Sequence, residues 1–190
     1  MKTLNASGCT NLVSLDCSSC GLESINLDGC TSLNTLNIRD NALLMFDAEN
    51  LANLQELICD TQIVYMESSG KIFSFREYFS ASSFVSSAAG VENVKNLKAF
   101  DASGNETAAE LDSVTGIASF GEEPSKIMYD YDTCFNSVMM DVTVYFTDSS
   151  TEDGTGDSVR VSSSSGGSCN SAFGLLTLSA GVILILLKRR

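Results

Sequence analysis

Between Leu4 and Gln62, apolar residues return on a step of 21. Leu12, Leu33 and Leu54 share one position. Leu15, Leu36 and Leu57 share the next, and Cys17, Ile38 and Cys59 the one after. A second series runs in the same frame: Leu4, Ile25 and Phe46; Ala6, Leu27 and Ala48; Cys9, Cys30 and Leu51. A fixed step of this length marks stacked units, none of which buries its apolar edge alone. Within a unit, Leu15-x-Cys17 and Ile25-x-Leu27 alternate over three positions and give way to polar turns, which favours short strands over helix. The pattern predicts two strands per coil, with Leu15, Cys17, Leu36, Ile38, Leu57 and Cys59 pointing inward.

After Gln62 the frame is lost. Residues 63–93 are apolar and Ser-rich without clean periodicity, and are expected to form a cap or connector over the last coil, with a strand near Ile72–Phe75. From Val94 short apolar runs alternate with Gly, Asn, Asp and Pro turns: Asn96–Ala102, Glu106–Leu111, Ile117–Phe120, Lys126–Tyr131 and Val138–Phe146. In the last run Val138, Met140, Val142, Val144 and Phe146 share one face. Strands at this spacing predict a small antiparallel β-sandwich-like domain over 94–147. Residues 148–171 are rich in Ser, Gly and Asp, the composition of a linker. Ala172–Leu187 then holds 16 uncharged residues before Lys188, Arg189 and Arg190. As a helix this run spans ~24 Å, and a linker before it with no partner element behind it favours a terminal membrane segment over a core helix.

The middle coil reads LNTLNIRDNAL from Leu33 to Leu43. It resembles the leucine-rich repeat pattern L-x-x-L-x-L-x-x-N/C-x-L, in the short 21-residue form of bacterial internalin-like surface proteins. The resemblance covers residues 3–62 and implies a solenoid over 1–62. Asn41 stands at the ladder position where a side-chain amide bonds turn backbone, and Cys20 and Gln62 stand there in the neighbouring coils. Gly166, Gly167 and Cys169, followed by Ala172-Phe173, the apolar run and the basic end, resemble bacterial sorting signals of the Synerg-CTERM and GlyGly-CTERM type. That likeness implies export, membrane retention and cleavage near Gly167–Cys169. Met1 lies already in repeat frame, with Leu4 at the Ile25 position and no signal peptide. The chain is therefore expected to continue a longer protein. The expected architecture is mainly β: a leucine-rich-repeat solenoid, a small β-domain, and a C-terminal transmembrane helix with a basic tail over 172–190.

Charge and chemistry narrow the function. Eleven Lys and Arg against 24 Asp and Glu give −13, which disfavours nucleic acid as a partner. There is no His, so Ser-His and Cys-His nucleophile pairs and His-based zinc sites are excluded. Cys17-x-x-Cys20 lacks a second pair for a zinc site, and its frame makes Cys17 a small buried apolar residue. Asp130, Asp132, Asp148, Glu152, Asp153 and Asp157 lack the spacing of a calcium loop. Asn105-Glu106-Thr107 fits the glycosylation acceptor pattern by three residues only. No metal, cofactor or catalytic residue is assigned. The expected function is a non-catalytic binding protein of the bacterial cell envelope, held in the membrane by its C-terminal segment. It would take a protein or glycan partner on the outward coil positions Asp16, Asn37, Arg39, Glu56, Ile58 and Asp60. A structural spacer without a partner is the alternative. A hydrolase with paired carboxylates ranks below both, since no motif brings two acids together.

Overall fold

In the computed structural model, which describes residues 3–68, 70–82 and 90–147, strands dominate. β2 (Ser14–Asp16), β4 (Thr35–Asn37) and β5 (Glu56–Ile58) pair in parallel, and every partner is one repeat away: Ser14, Thr35 and Glu56; Leu15, Leu36 and Leu57; Asp16, Asn37 and Ile58. β1 (Thr3–Asn5) and β3 (Ser24–Asn26) pair the same way in a second sheet. The six residues expected inward are all buried, Ile38 completely. Corners repeat with the strands. Ser19, Asp40 and Thr61 are left-handed at φ of 54°, 55° and 61°. Gly8 and Gly29 hold the other corner, both at φ 76°. A Cβ on Gly29 would stand 3.4 Å from the Gly8 Cα, so glycine also lets the two coils approach.

Beyond the coils the chain builds two further sheets. β6 (Gln62–Glu67) runs straight out of the third coil and becomes the edge of a five-stranded sheet. Its other members are β13 (Met139–Thr147), β12 (Lys126–Asp132), β8 (Val94–Phe100) and β9 (Glu106–Thr107), in that order. A three-stranded antiparallel sheet joins β10 (Ala109–Asp112), β11 (Ile117–Phe120) and β7 (Ile72–Ser74). A helix, α1 (Phe75–Ser82), follows β7 directly. Aromatic rings link these elements. Phe73 meets Phe146 edge-on at 5.9 Å, Phe75 meets Tyr129 at 5.0 Å, and Phe79 meets Tyr131 at 5.7 Å.

Alternation placed β13 correctly: Met140, Val142 and Val144 are buried and Asp141 is exposed. Three other expectations need correction. The connector over 63–93 is no separate cap, because β6 pairs with β13 and β7 pairs with β11. Within 94–147 every strand pair is antiparallel, as expected; β6, from outside that range, joins the sheet parallel to β13. The run Glu106–Leu111 divides at Ala108 into β9 and β10, which belong to different sheets. The β-domain is also not distinct from the coils, since one continuous apolar cluster runs from Leu15 through Phe73 to Val144. The Tyr129 hydroxyl donates to the Leu44 carbonyl at 2.7 Å across that boundary.

The structure adds a helix and lacks one expected strand. The helix has Phe75, Tyr78 and Phe79 on one face, and Ser74 Oγ accepts the Glu77 N–H at 3.3 Å as its N-cap. The second coil series does not form a third strand. Phe46 and Ala48 are buried where one would lie, but the Ala48 N–H donates to the Thr133 carbonyl at 3.0 Å, in the hairpin between β12 and β13. That donor faces away from β3, since each coil donates to the next as Ala6 does to Asn26, so the hairpin covers the far side of the third coil.

Candidate binding face

The outward coil positions do stand together on β2, β4, β5 and the corners that follow. Asp16, Arg39, Glu56 and Ile58 are exposed, and Asn37 and Asp60 are half-buried. Several of them are occupied by the coil itself. Asp16 Oδ1 accepts the Ser18 N–H at 3.0 Å and its hydroxyl at 2.7 Å, and Asn37 Oδ1 accepts the Arg39 N–H at 3.2 Å. Asn5, Asn26 and Asp47 close the same turn in the other series, at 3.0, 2.9 and 2.8 Å. A side-chain oxygen thus bonds the backbone two residues on in five corners, four of them at the end of a strand and the fifth at Asp47. Arg39 bridges the carboxylates of Asp40 (3.3 Å) and Asp60 (3.5 Å), both solvent-facing pairs of small energetic weight. In the third coil Ile58 takes the turn-closing position and presents a bare apolar side chain.

The ladder beneath the face is a set of buried amides. Asn41 Nδ2 donates to the carbonyls of Ile38 (2.8 Å) and Cys17 (3.0 Å), while its Oδ1 accepts the N–H of Leu22 (2.9 Å) and Cys20 (3.1 Å). One coil on, Gln62 Nε2 donates to Cys59 and Ile38, both at 2.9 Å, and Oε1 accepts the Leu43 N–H at 3.1 Å. The three offsets are those of Asn41, so the extra methylene of glutamine is absorbed with these three bonds kept. Burial pushes the Cys17 and Cys59 thiols up to about 12, Cys17 also feeling Cys20 and Cys59 feeling Asp60. They are core residues rather than nucleophiles.

The structure extends the face where sequence reasoning stopped. Thr61 turns the chain from β5 into β6, and its N–H donates to Asp141 Oδ1 at 3.1 Å, tying the coil corner to β13. Past it, Ile63 and Tyr65 of β6 point outward beside Thr143 and Tyr145 of β13, followed by Met128 and Lys126 of β12. Tyr65 is 70% exposed and stacks on Tyr145, with centroids 5.4 Å apart. Lys126 lies over the Phe100 ring at 4.3 Å. Alternation in Val138–Phe146 already implied an outward Tyr145 and Met139. Ile63 and Tyr65 were hidden because the run Ile63–Met66 is apolar on both faces.

The acceptor pattern at Asn105 is a turn: Asp101 takes the backbone N–H of Ser103 and Asn105 and the Asn105 amide. Those bonds, led by the Asn105 side chain, hold the Asp101 carboxyl below its usual value. Gly166, Gly167, Cys169 and the apolar run 172–187 lie outside the described residues. Among the described residues no helix is long and apolar enough to cross a membrane.

No family model matches the chain, and no curated protein does. Among solved structures it is similar to the functional domain of InlJ from Listeria monocytogenes, which includes a cysteine ladder. Identity is 13%, the match covers 77% of this chain and 44% of that one, and the TM-score is 0.25. The chain thus spans less than half the length of that neighbour.

Proposed function

We propose that this chain is a non-catalytic binding protein of the bacterial cell surface, built on a leucine-rich-repeat solenoid. The carrying observation is the outward group of Ile63, Tyr65, Met128 and Tyr145 on one face of the five-stranded sheet, with Ile58 exposed on the last coil strand. Exposed large apolar residues gathered on one face mark an interaction surface, and Tyr and Met are residue types enriched at such surfaces. The polar coil residues Asp16 and Asn37 hold turns, so the partner's energy of contact centres on Ile58 and the sheet, with Arg39, Glu56 and Asp60 at the rim. The partner in this reading is a protein. The run 172–187 with its basic end supports retention in the bacterial membrane.

The test immobilises the purified chain and a triple variant, Ile58→Ser, Tyr65→Ser and Tyr145→Ser, and exposes both to envelope and host-surface extracts. A protein retained by the first and lost with the second supports the reading. Equal retention, or none, returns the chain to the spacer alternative. Membrane fractionation with mass spectrometry of the C-terminus tests the anchor: recovery of the full chain in cytosol overturns it.

A further inference from the structure

We infer that Cys9 and Cys30 form an oxidation site, at which a disulfide staples the first coil to the second. Both are free thiols in this structure. They occupy one position in successive coils. β1 and β3 are paired in register from Thr3–Ser24 to Asn5–Asn26, and the register continues through Ala6 N–H to Asn26 O (2.9 Å) and Gly8 N–H to Asp28 O (2.7 Å). Each cysteine then closes the same turn, Cys9 N–H to Ala6 O at 3.1 Å and Cys30 N–H to Leu27 O at 3.0 Å. Neighbouring parallel strands lie about 4.8 Å apart. That spacing falls inside the Cα window of roughly 4.4–6.8 Å that a disulfide spans.

The Cys30 thiol already leans across the gap. Its Sγ donates to the Ala6 carbonyl at 3.2 Å, the same oxygen that receives the Cys9 N–H. Burial, followed by the neighbouring Cys9, raises the Cys30 thiol. Cys9 is half-buried and Cys30 is buried, so Cys9 is the sulfur an external reagent meets first. The other described cysteines are placed differently. Ile38 separates Cys17 from Cys59, the coil after Cys20 carries Asn41, and Cys134 lies in the hairpin beyond β12. Leu51 follows Cys30 in the frame, so the staple joins these two coils and no further one.

The oxidant is a small-molecule or protein disulfide, R–S–S–R. Cys9 thiolate attacks one of its sulfurs, forming a Cys9–S–S–R bond and expelling one RS⁻. Cys30 thiolate then attacks the Cys9 sulfur, breaks that bond and expels the second RS⁻. The two cysteines together lose two electrons and two protons, and the external disulfide gains both to become two RSH.

The full chain is incubated with oxidised glutathione, then alkylated, digested and mapped. The expected result is a Cys9–Cys30 peptide, loss of both alkylatable thiols, and a higher urea midpoint that reverts on reduction. In Cys30→Ser the expected product is a lasting glutathione adduct on Cys9. Persistence of that adduct in the unmutated chain, both thiols left alkylatable, or cysteine pairs other than Cys9–Cys30 would each overturn the site.

Discussion

Replacing Asn41 by alanine strips the central rung of the ladder, and its cost follows from the bonds. The amide meets two N–H donors, Leu22 and Cys20, and two carbonyls, Cys17 and Ile38. The Ile38 carbonyl keeps a partner, because Gln62 Nε2 also donates to it at 2.9 Å. Cys20 is exposed, so its N–H can turn to water. The buried Leu22 N–H and Cys17 carbonyl lose a partner that solvent cannot replace. At about 1–3 kcal/mol for each of these two groups, Asn41→Ala costs about 2–6 kcal/mol, a large share of the roughly 5–15 kcal/mol that holds a domain. Urea unfolding followed by far-UV circular dichroism measures it. Asn53→Ala is the control: its amide donates to Thr31 O at 2.6 Å on the surface and costs about 1 kcal/mol or less. Asn41→Gln should regain much of the loss, since Gln62 reaches the same three groups one coil on. An Asn41→Ala variant no weaker than Asn53→Ala would refute the ladder as a source of stability.

Ile38 is fully buried between Cys17 and Cys59, so Ile38→Asp should cost about 3–5 kcal/mol by leaving a charge unpaired; a folded Ile38→Asp with unchanged urea midpoint would contradict the stacking. Gly90 sits at φ 121°, and a Cβ there would stand 2.8 Å from the Tyr131 hydroxyl, so Gly90→Ala should lose about 1–3 kcal/mol in the same assay. The Cys17 and Cys59 thiols, raised to about 12 by burial, are protonated in the fold at pH values where the unfolded thiols ionise. The stability they hold is whole below the ordinary thiol value of 9.0 and falls as pH climbs from there toward 12, which alkaline unfolding of Cys17→Ala would show as a shallower decline. Asp101 works at the other end of the scale. Its depressed carboxyl contributes above the ordinary carboxylate range and loses that contribution as pH falls through its folded value, so Asp101→Asn should flatten the acid limb of a thermal-melt series.

Repetition made the coils legible in the primary structure. A residue such as Leu36 meets its own equivalents, Leu15 and Leu57, so the step of 21 states both the strand and its neighbour. β13 was legible for a related reason, because strict alternation over Val138–Phe146 assigns one face to the core whatever lies opposite. The partners of β6 and β7 were not legible. Their pairing with β13 and β11 joins residues about 80 and 45 positions apart, and no periodicity in either segment encodes such a meeting. The same reason limited the binding face. Asp16 and Asn37 were outward by register, yet the turn bonds that occupy them appear only once backbone and side chain are placed together. Tyr65 had no assignable face until β6 paired with β13 and turned it outward. The sequence by itself determined the local frame, since burial repeats wherever the chain repeats. Tertiary structure decided which donors and which apolar faces were spent on distant strands, as with Ala48 and Thr133, and so which remained for a partner.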